Sequence, residues 1–216
     1  MHELLVNLKA YRQSTDKNAP HLLQILEDID DERLSVAVNH VDLRLASRYN
    51  LRFHAQGINP HTYGSHTGSI IPETVSKLGA EGTLINHSEN QIPQDEIKHC
   101  VDRAKEVGIK SIVCVPNVDL IEVVAEKKPD AIAIEPPELI GGDISVSSAK
   151  PEVIKNAVDA AKPFDVPVLC GAGVKTEDDV HRAVQLGAQG ILVASGVVKA
   201  ANPEEAVRAL LQGFED

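Results

Sequence analysis

The chain has 216 residues, of which 43% are apolar and 25% charged; this composition excludes a disordered protein and fits a single globular domain, residues 1–216. Its formal net charge of -11 disfavours nucleic acid and anionic membranes as partners. No apolar run reaches the roughly 18 residues that predict a membrane-spanning helix.

Eight short apolar runs recur along the chain, each about as long as a β-strand. In chain order they read ELLVNL, LSVAVN, LRFHAQ, GTLINH, KSIVCV, DAIAIE, VPVLCG and QGILVA. Amphipathic patterns typical of helices lie between and after these runs, for example at residues 94–107, 151–161, 177–186 and 203–211. The chain therefore alternates predicted strands with predicted helices.

Several of these helices carry start or stop signals. Thr176 precedes an acidic first turn, and Asn202 precedes Pro203 at the first helical position. Gly108 and Gly187 each follow a helix, at the position where a left-handed residue commonly ends one.

The order of elements predicts the fold class. Near-continuous apolar strands that are each followed by a helix indicate a parallel sheet covered by helices. Eight such units close most naturally into an α/β structure of the TIM-barrel type, a (β/α)8 barrel. An open doubly wound sheet is the alternative, although the first strand-to-helix turn has no GxGxxG sequence.

Cysteine and histidine spacing bears on disulfides and metals. The three cysteines have no CxxC spacing, so we expect Cys100, Cys114 and Cys170 to be reduced thiols in the core. The nine histidines form no HExxH motif and no His/Cys pair at ligand spacing, so we predict no metal site. The segment MHELLVNLKAY carries charge and lacks a signal-peptide core, and we expect a cytoplasmic protein.

Polar side chains end the first and fourth predicted strands. Strand alternation sends Asn7 and Lys9 to the same side, although a lysine at a strand end is more often a solvated edge charge. His87 follows the fourth strand in the segment TLINHSENQI. Such a histidine is often only structural, and Ser88 with Glu89 could simply begin the next helix.

The sixth strand ends at Glu135, which two prolines follow. A carboxylate among apolar side chains at a barrel mouth has a setting that raises its pKa toward that of a useful general base. A solvated rim glutamate is the alternative. The longest irregular stretches, 57–72 and 136–150, follow the third and sixth strands on the face where barrels carry active sites.

Small residues end the last two strands, in CGAG at 170–173 and ASG at 194–196. Loops at these two strand ends commonly form the phosphate site of such barrels, because backbone N–H groups can approach an anion there. The glycines could instead serve only tight turns. The two motifs together favour a substrate that carries phosphate.

These motifs resemble those of the triosephosphate isomerase family, specifically its short archaeal type. The matching segments are VNLKAY at the first strand, GSHTG at 64–68, NHSEN at 86–90, EPPELIG at 135–141, CGAG at 170–173 and ASGVVKA at 194–200. They follow the family's order and span nearly the whole chain. NHSEN and EPPELIG together are highly specific.

The resemblance implies interconversion of D-glyceraldehyde 3-phosphate and dihydroxyacetone phosphate in glycolysis and gluconeogenesis, without metal or organic cofactor. Glu135 would be the general base that moves a proton through an enediol(ate), and His87 would hydrogen-bond the carbonyl oxygen. Lys9 and Asn7 would lie beside that oxygen, with Glu89 supporting the lysine or the helix N-terminus rather than acting as a second base. We expect a neutral His87 near a helix N-terminus; these isomerases are the established example of that pKa arrangement.

The resemblance also implies how phosphate and subunits are held. Backbone groups around five residues would bind the phosphate: Ile140, Gly141, Gly173, Ala194 and Ser195. Members of the family form homodimers, or homotetramers in the archaeal type. The loop carrying GSHTG would insert into a neighbouring subunit, where Thr67 would reach toward the partner's site.

The chain also departs from the family pattern. A lid is expected over residues 136–144, and Asp143 puts a negative charge there, where the family often has the last glycine of Gly-Thr-Gly. Asn39 and His40 replace an expected Ala-Pro pair at the second strand. Two other functions stay open from the residues alone: another phosphosugar enzyme, or a barrel that binds a phospholigand without turning it over.

Overall fold

Eight parallel strands form a closed barrel in the computed structural model, which describes residues 2–141 and 145–215. Each strand pairs with the next along the chain, and the last pairs with the first. They are β1 (Glu3–Asn7), β2 (Leu34–Val38), β3 (Arg52–Ala55), β4 (Gly82–Ile85), β5 (Lys110–Val115), β6 (Ala131–Ile134), β7 (Val168–Gly171) and β8 (Gly190–Val193). The predicted (β/α)8 barrel is confirmed, and the open sheet is excluded.

Helices follow the strands around the outside of the barrel. They are α1 (Ala19–Glu27), α2 (Pro72–Lys77), α3 (Gln94–Glu106), α4 (Ile121–Ala125), α5 (Val146–Ala149), α6 (Pro151–Ala161), α7 (Glu177–Gln185), α8 (Ser195–Val198) and α9 (Pro203–Gln212). Between β2 and β3 the connection is a 3₁₀ segment, His40–Arg48. Within the described ranges, no helix is long and apolar enough to cross a membrane.

The predicted helix signals are confirmed. Thr176 and Asp179 form a reciprocal capping box at the start of α7, and the Asn202 side chain accepts a backbone hydrogen bond in the first turn of α9. Gly108 follows α3 with φ +75°, and Gly187 follows α7 with φ +99°. Because L-residues with side chains rarely adopt these angles, glycine ends both helices at little cost.

Two apolar clusters show which strand faces look inward. The interior cluster contains Leu5, Ala37, Leu84, Ile112, Cys114, Ala131, Ala133, Leu169 and Leu192. The larger cluster packs strand residues such as Val6 and Ile85 against the helices. Since side chains alternate along a strand, Asn7 and Glu135 lie on the same side as the interior residues two positions before them. All three cysteines are buried and free, as predicted.

A polar layer lies at the amino-terminal end of the barrel. Glu3 accepts hydrogen bonds from Arg52 at 2.7 Å and from Ser35 at 2.8 Å. The fully buried His54 has its Nε2 atom 3.6 Å from the Glu3 carboxylate. A Cβ atom on Gly82 would lie 2.4 Å from the His54 ring, so glycine there makes the room that this imidazole occupies.

The polar layer predicts a pH-dependent stability. Burial alone would raise the pKa of Glu3, but the nearby His54, Ser35 and Arg52 groups outweigh it and lower the pKa from 4.5 to about 2. A lowered folded-state pKa stabilises the protein above pH 4.5, and that contribution is lost as pH falls toward 2. The shift corresponds to at most about 3 kcal/mol of unfolding free energy.

Denaturant unfolding at several pH values tests this. We expect the unfolding free energy of Glu3→Gln to vary less than wild type between pH 4.5 and 2. Glu122→Gln, which changes an exposed glutamate on α4, is the matched control and should keep the wild-type slope. Equal slopes for wild type and Glu3→Gln would show that the polar layer does not lower the pKa of Glu3.

Candidate active site

One cleft opens at the carboxyl ends of the strands. All nine residues predicted to catalyse or bind substrate line it: Asn7, Lys9, His87, Glu135, Ile140, Gly141, Gly173, Ala194 and Ser195. They come from β1, β4, β6, β7, β8 and the loops that follow these strands. Residues from distant parts of the chain are thus brought together because parallel strands end at the same edge of the barrel.

The His87 side chain is buried at the floor of this cleft, with 5% of its surface exposed. Its Nδ1 atom accepts a hydrogen bond from the Glu89 backbone N–H at 3.1 Å. In a neutral imidazole one nitrogen accepts and the other donates, so the Nε2 atom of His87 carries the hydrogen. Nε2 therefore offers an N–H donor to a ligand bound in the cleft.

Burial is the main reason that His87 is neutral. It lowers the pKa of His87 from 6.5 to about 4, helped by the positive charge of Lys9 and opposed by Glu89. The expectation that a helix begins beside His87 is wrong. Residues 88–93 form a turn and an extended stretch, and α3 begins only at Gln94.

Glu135 follows β6 and is almost fully buried, with 6% of its surface exposed. Burial raises the pKa of this carboxyl group from 4.5 to about 7, while the Cys114 thiol and the Lys9 charge act in the opposite direction. Gly171 makes room for the side chain, because a Cβ atom there would lie 2.5 Å from Glu135 Cγ. This glycine of the CGAG motif therefore makes room for the Glu135 side chain, whereas the sequence had suggested the motif as a phosphate site.

The two buried groups face each other across a short gap. His87 Nε2 lies 3.6 Å from Glu135 Oε2. That separation exceeds a normal hydrogen bond, and within the described residues neither atom has a hydrogen-bond partner. Buried polar atoms without partners are rare and costly, and they mark places where a ligand can supply the missing bonds.

Lys9 brings a positive charge into the cleft. Its Nζ atom lies 2.9 Å from Glu89 Oε1, and only 9% of its side chain is exposed. Asn7 Oδ1 accepts bonds from the Lys9 backbone N–H at 3.0 Å and from Gln56 at 3.2 Å. Strand alternation does not explain the lysine's direction as predicted, because β1 ends at Asn7 and Lys9 has a left-handed φ of +49°.

Small residues also line the cleft. Ala172 and Gly173 follow β7 with φ values of +72° and +73°, and Ala194 precedes the short helix α8. A left-handed alanine is strained, and such strain concentrates at functional sites. Lys175 also lines the cleft, and its Cγ atom would be 3.3 Å from a Cβ atom on Gly196.

Sequence comparison identifies the family to which these groups belong. The family model described as triosephosphate isomerase matches residues 3–210. The chain belongs to the triosephosphate isomerase family. This membership confirms the resemblance carried by NHSEN, EPPELIG and the other motifs.

Curated triosephosphate isomerases of archaea match almost the whole chain. The protein of Methanocaldococcus jannaschii is 43% identical over 215 residues, which cover 97% of this chain and 98% of the relative. The protein of Archaeoglobus fulgidus is 42% identical over 217 residues, covering 98% and 97% of the two chains. That of Methanothermobacter thermautotrophicus is 44% identical over 214 residues, covering 96% and 93%.

A solved structure supports the fold independently. The crystal structure of triosephosphate isomerase from Bartonella henselae superposes with a TM-score of 0.76, covering 97% of this chain and 99% of that one. Its sequence identity is only 16%, so this likeness concerns the barrel.

Some predicted features of a triosephosphate isomerase lie outside the cleft or the described chain. Thr67 is exposed in the loop between β3 and α2 and does not line its own cleft. Ile140 and Gly141 reach the cleft, whereas Gly142, Asp143 and Ile144 of the predicted lid lie outside the described residues.

Within the described ranges, no cluster of three or more His, Cys, Asp or Glu side chains could hold a metal ion.

The sequence did not single out several contributors to the cleft. Tyr11 and Lys175 line it, and Cys114 contacts Glu135 from the interior of the barrel. The position of Lys175, two residues after the CGAG segment, was the signal available for that residue. Cys114 carried no such signal, because its neighbourhood with Glu135 depends on the pairing of β5 with β6.

Proposed function

We propose that this chain interconverts D-glyceraldehyde 3-phosphate and dihydroxyacetone phosphate, a step of glycolysis and gluconeogenesis, with Glu135 as general base and His87 as hydrogen-bond donor to the carbonyl oxygen. The observation that carries these roles is the buried pair of His87 Nε2 and Glu135 Oε2, 3.6 Å apart in the cleft and without hydrogen-bond partners among the described residues. Family membership supports the reaction, and this geometry supports the roles.

The reaction needs both groups. A carbon next to a carbonyl is a weak acid, so a carboxylate can remove its proton only if the developing oxyanion is stabilised. Neutral His87 donates from Nε2, and the Lys9 ammonium group adds positive charge. Asn7 holds the Lys9 backbone, so the charge is in position before the substrate arrives.

Glu135 suits the opposite task. A general base works best when its pKa lies near the operating pH, and burial raises the pKa of Glu135 to about 7. The carboxylate would take a proton from C1 of dihydroxyacetone phosphate and deliver a proton to C2 of the enediol(ate). Between these two steps His87 Nε2 would give its proton to O2 and take the hydroxyl proton from O1. The reverse transfer gives the reverse reaction without any cofactor.

The phosphate would lie against the small residues that follow β7 and β8. Backbone groups of Ile140, Gly141, Gly173, Ala194 and Ser195 line the cleft and would donate hydrogen bonds to it. Backbone dipoles can hold a dianion even though the whole chain has a net charge of -11. Thus no strongly basic surface is needed.

We also propose a cytoplasmic homo-oligomer of single-domain subunits (1–216), a homotetramer or a homodimer. Thr67 and the 60%-exposed Tyr63 lie in the loop between β3 and α2, which would insert into a partner subunit. Burying such an aromatic side chain is a common source of interface stability.

A coupled assay tests the activity. Purified protein would convert glyceraldehyde 3-phosphate, and dihydroxyacetone phosphate formation would be followed through NADH oxidation. We expect a kcat/KM that approaches the diffusional ceiling of about 10⁸–10⁹ M⁻¹s⁻¹. Folded protein that binds the substrate without converting it would instead favour a barrel that only binds phospholigands.

The pH dependence follows from Glu135. The base must be ionised, so kcat/KM should fall about tenfold per pH unit as pH drops below about 7. His87 is neutral above pH of about 4 and should add no second limb near neutrality. Initial rates between pH 5 and 9 measure this profile.

The substrate's own phosphate, whose second pKa is about 6, could also cause kcat/KM to fall at acidic pH. A variant distinguishes that effect from the acidic limb of the profile that we assign to Glu135. The Cys114 thiol lowers the pKa of Glu135, so Cys114→Ala should move the limb to higher pH. The phosphate pKa cannot respond to that change. An identical limb in both proteins would mean that the profile reports the substrate rather than Glu135.

A further inference from the structure

The direction of His87 is unexpected for a residue at this strand position. Leu84 belongs to the interior cluster, and Ile85 packs on the helix side. Side chains alternate along a strand, so a regular continuation of β4 would turn Asn86 inward and His87 outward. Instead His87 lines the cleft.

The backbone of Asn86 breaks this alternation. Asn86 has φ +60°, in the left-handed region that L-residues other than asparagine and aspartate seldom enter. The chain therefore turns directly after β4 and carries the next side chain into the barrel mouth. The orientation of His87 depends on a single left-handed residue.

Two side-chain hydrogen bonds hold that turn. Asn86 Nδ2 donates to the backbone carbonyl of Cys114 at 3.0 Å, and Asn86 Oδ1 accepts from the Ile92 backbone N–H at 3.1 Å. The first bond joins the end of β4 to β5, and the second joins it to the segment before α3. Glycine could adopt the same φ but could make neither bond.

The bond to β5 also links the two proposed catalytic residues. Cys114 offers its carbonyl oxygen to Asn86, and its thiol contacts the Glu135 carboxylate. Asn86 thus ties the turn that aims His87 to the strand that supports Glu135.

We propose that Asn86 is a positioning residue for the isomerisation: its side chain fixes the left-handed turn that aims His87 Nε2 at the substrate's carbonyl oxygen. The inference rests on the proposed function of His87. It concerns the two hydrogen bonds of the Asn86 side-chain amide, whose partners are the backbone groups of Cys114 and Ile92.

Asn86→Gly is the informative variant, because it retains the backbone conformation and removes only the two bonds. Small misplacements of a catalytic group can cost about two orders of magnitude in rate. We expect Asn86→Gly to lower kcat by about 10- to 100-fold with little change in KM, since the phosphate contacts are untouched.

A double-mutant cycle distinguishes positioning from general stabilisation. With His87→Ala as the background there is no imidazole to aim, so adding Asn86→Gly should cost less than about twofold in kcat. A purely structural role would give the same loss in both backgrounds. Thermal unfolding of each variant confirms that the protein is folded at the assay temperature.

Lys128→Gly is the matched control, because Lys128 is another left-handed residue (φ +58°) and is exposed after α4, away from the cleft. It should keep the wild-type kcat. A folded Asn86→Gly protein with wild-type kcat, or an equal loss in both backgrounds, would overturn the inference. An inactive wild-type protein would instead overturn the proposed function, so the two failures are distinguishable.

Discussion

Glu135→Gln is expected to lower kcat by roughly 10³- to 10⁴-fold, because it removes the general base and leaves an amide that cannot accept the proton. The change nearly preserves the volume of a side chain that fills the space beside Gly171, so the cleft should keep its shape. KM should change little, because the carboxylate is not among the groups proposed to hold the phosphate. Steady-state rates in both directions measure the loss.

The matched control for this change is Glu126→Gln, which neutralises an exposed glutamate after α4. It removes the same charge far from the cleft and should leave kcat unchanged. If Glu135→Gln kept more than about a tenth of wild-type turnover, Glu135 could not be the base, since general base catalysis typically contributes at least about 10²-fold.

His87→Ala is expected to cost about 2.7–4 kcal/mol of transition-state stabilisation, a loss of about 10²- to 10³-fold in kcat. His87 Nε2–H is a preorganised donor, fixed by the bond from the Glu89 N–H to Nδ1. Its interaction strengthens as negative charge develops on the carbonyl oxygen. The main effect should therefore fall on kcat rather than on KM.

His99→Ala provides the comparison, because His99 is exposed on α3. It should retain wild-type kcat. A His87→Ala loss that appeared mostly as a raised KM would mean that His87 binds the substrate equally well in the ground state, and it would contradict the electrophile role.

The sequence predicted the fold well because strand and helix periods are local properties. Each of the eight apolar runs became a strand, and α3, α6, α7 and α9 lie within two residues of their predicted bounds. Closure of the sheet is not local, and only the count of βα units favoured it. The pairing of β8 with β1 decides that question.

The cleft residues were predictable because parallel strands end at a common edge. What directs each side chain was not predictable. Lys9 and Asn86 adopt left-handed backbones, which alternation alone does not anticipate. The contacts of Cys114 with Glu135 and of Glu3 with Arg52 depend on which strands become neighbours.

Hydrogen exchange with solvent tests the proton transfer by Glu135 most directly. Dihydroxyacetone phosphate would be incubated in D₂O with wild type, with Glu135→Gln and without protein, and deuterium at C1 followed by NMR. We predict rapid C1 deuteration with wild type and deuteration slower by roughly 10³- to 10⁴-fold with Glu135→Gln. Interconversion by wild type without deuterium after many turnovers, or equal exchange by both proteins, would contradict this prediction.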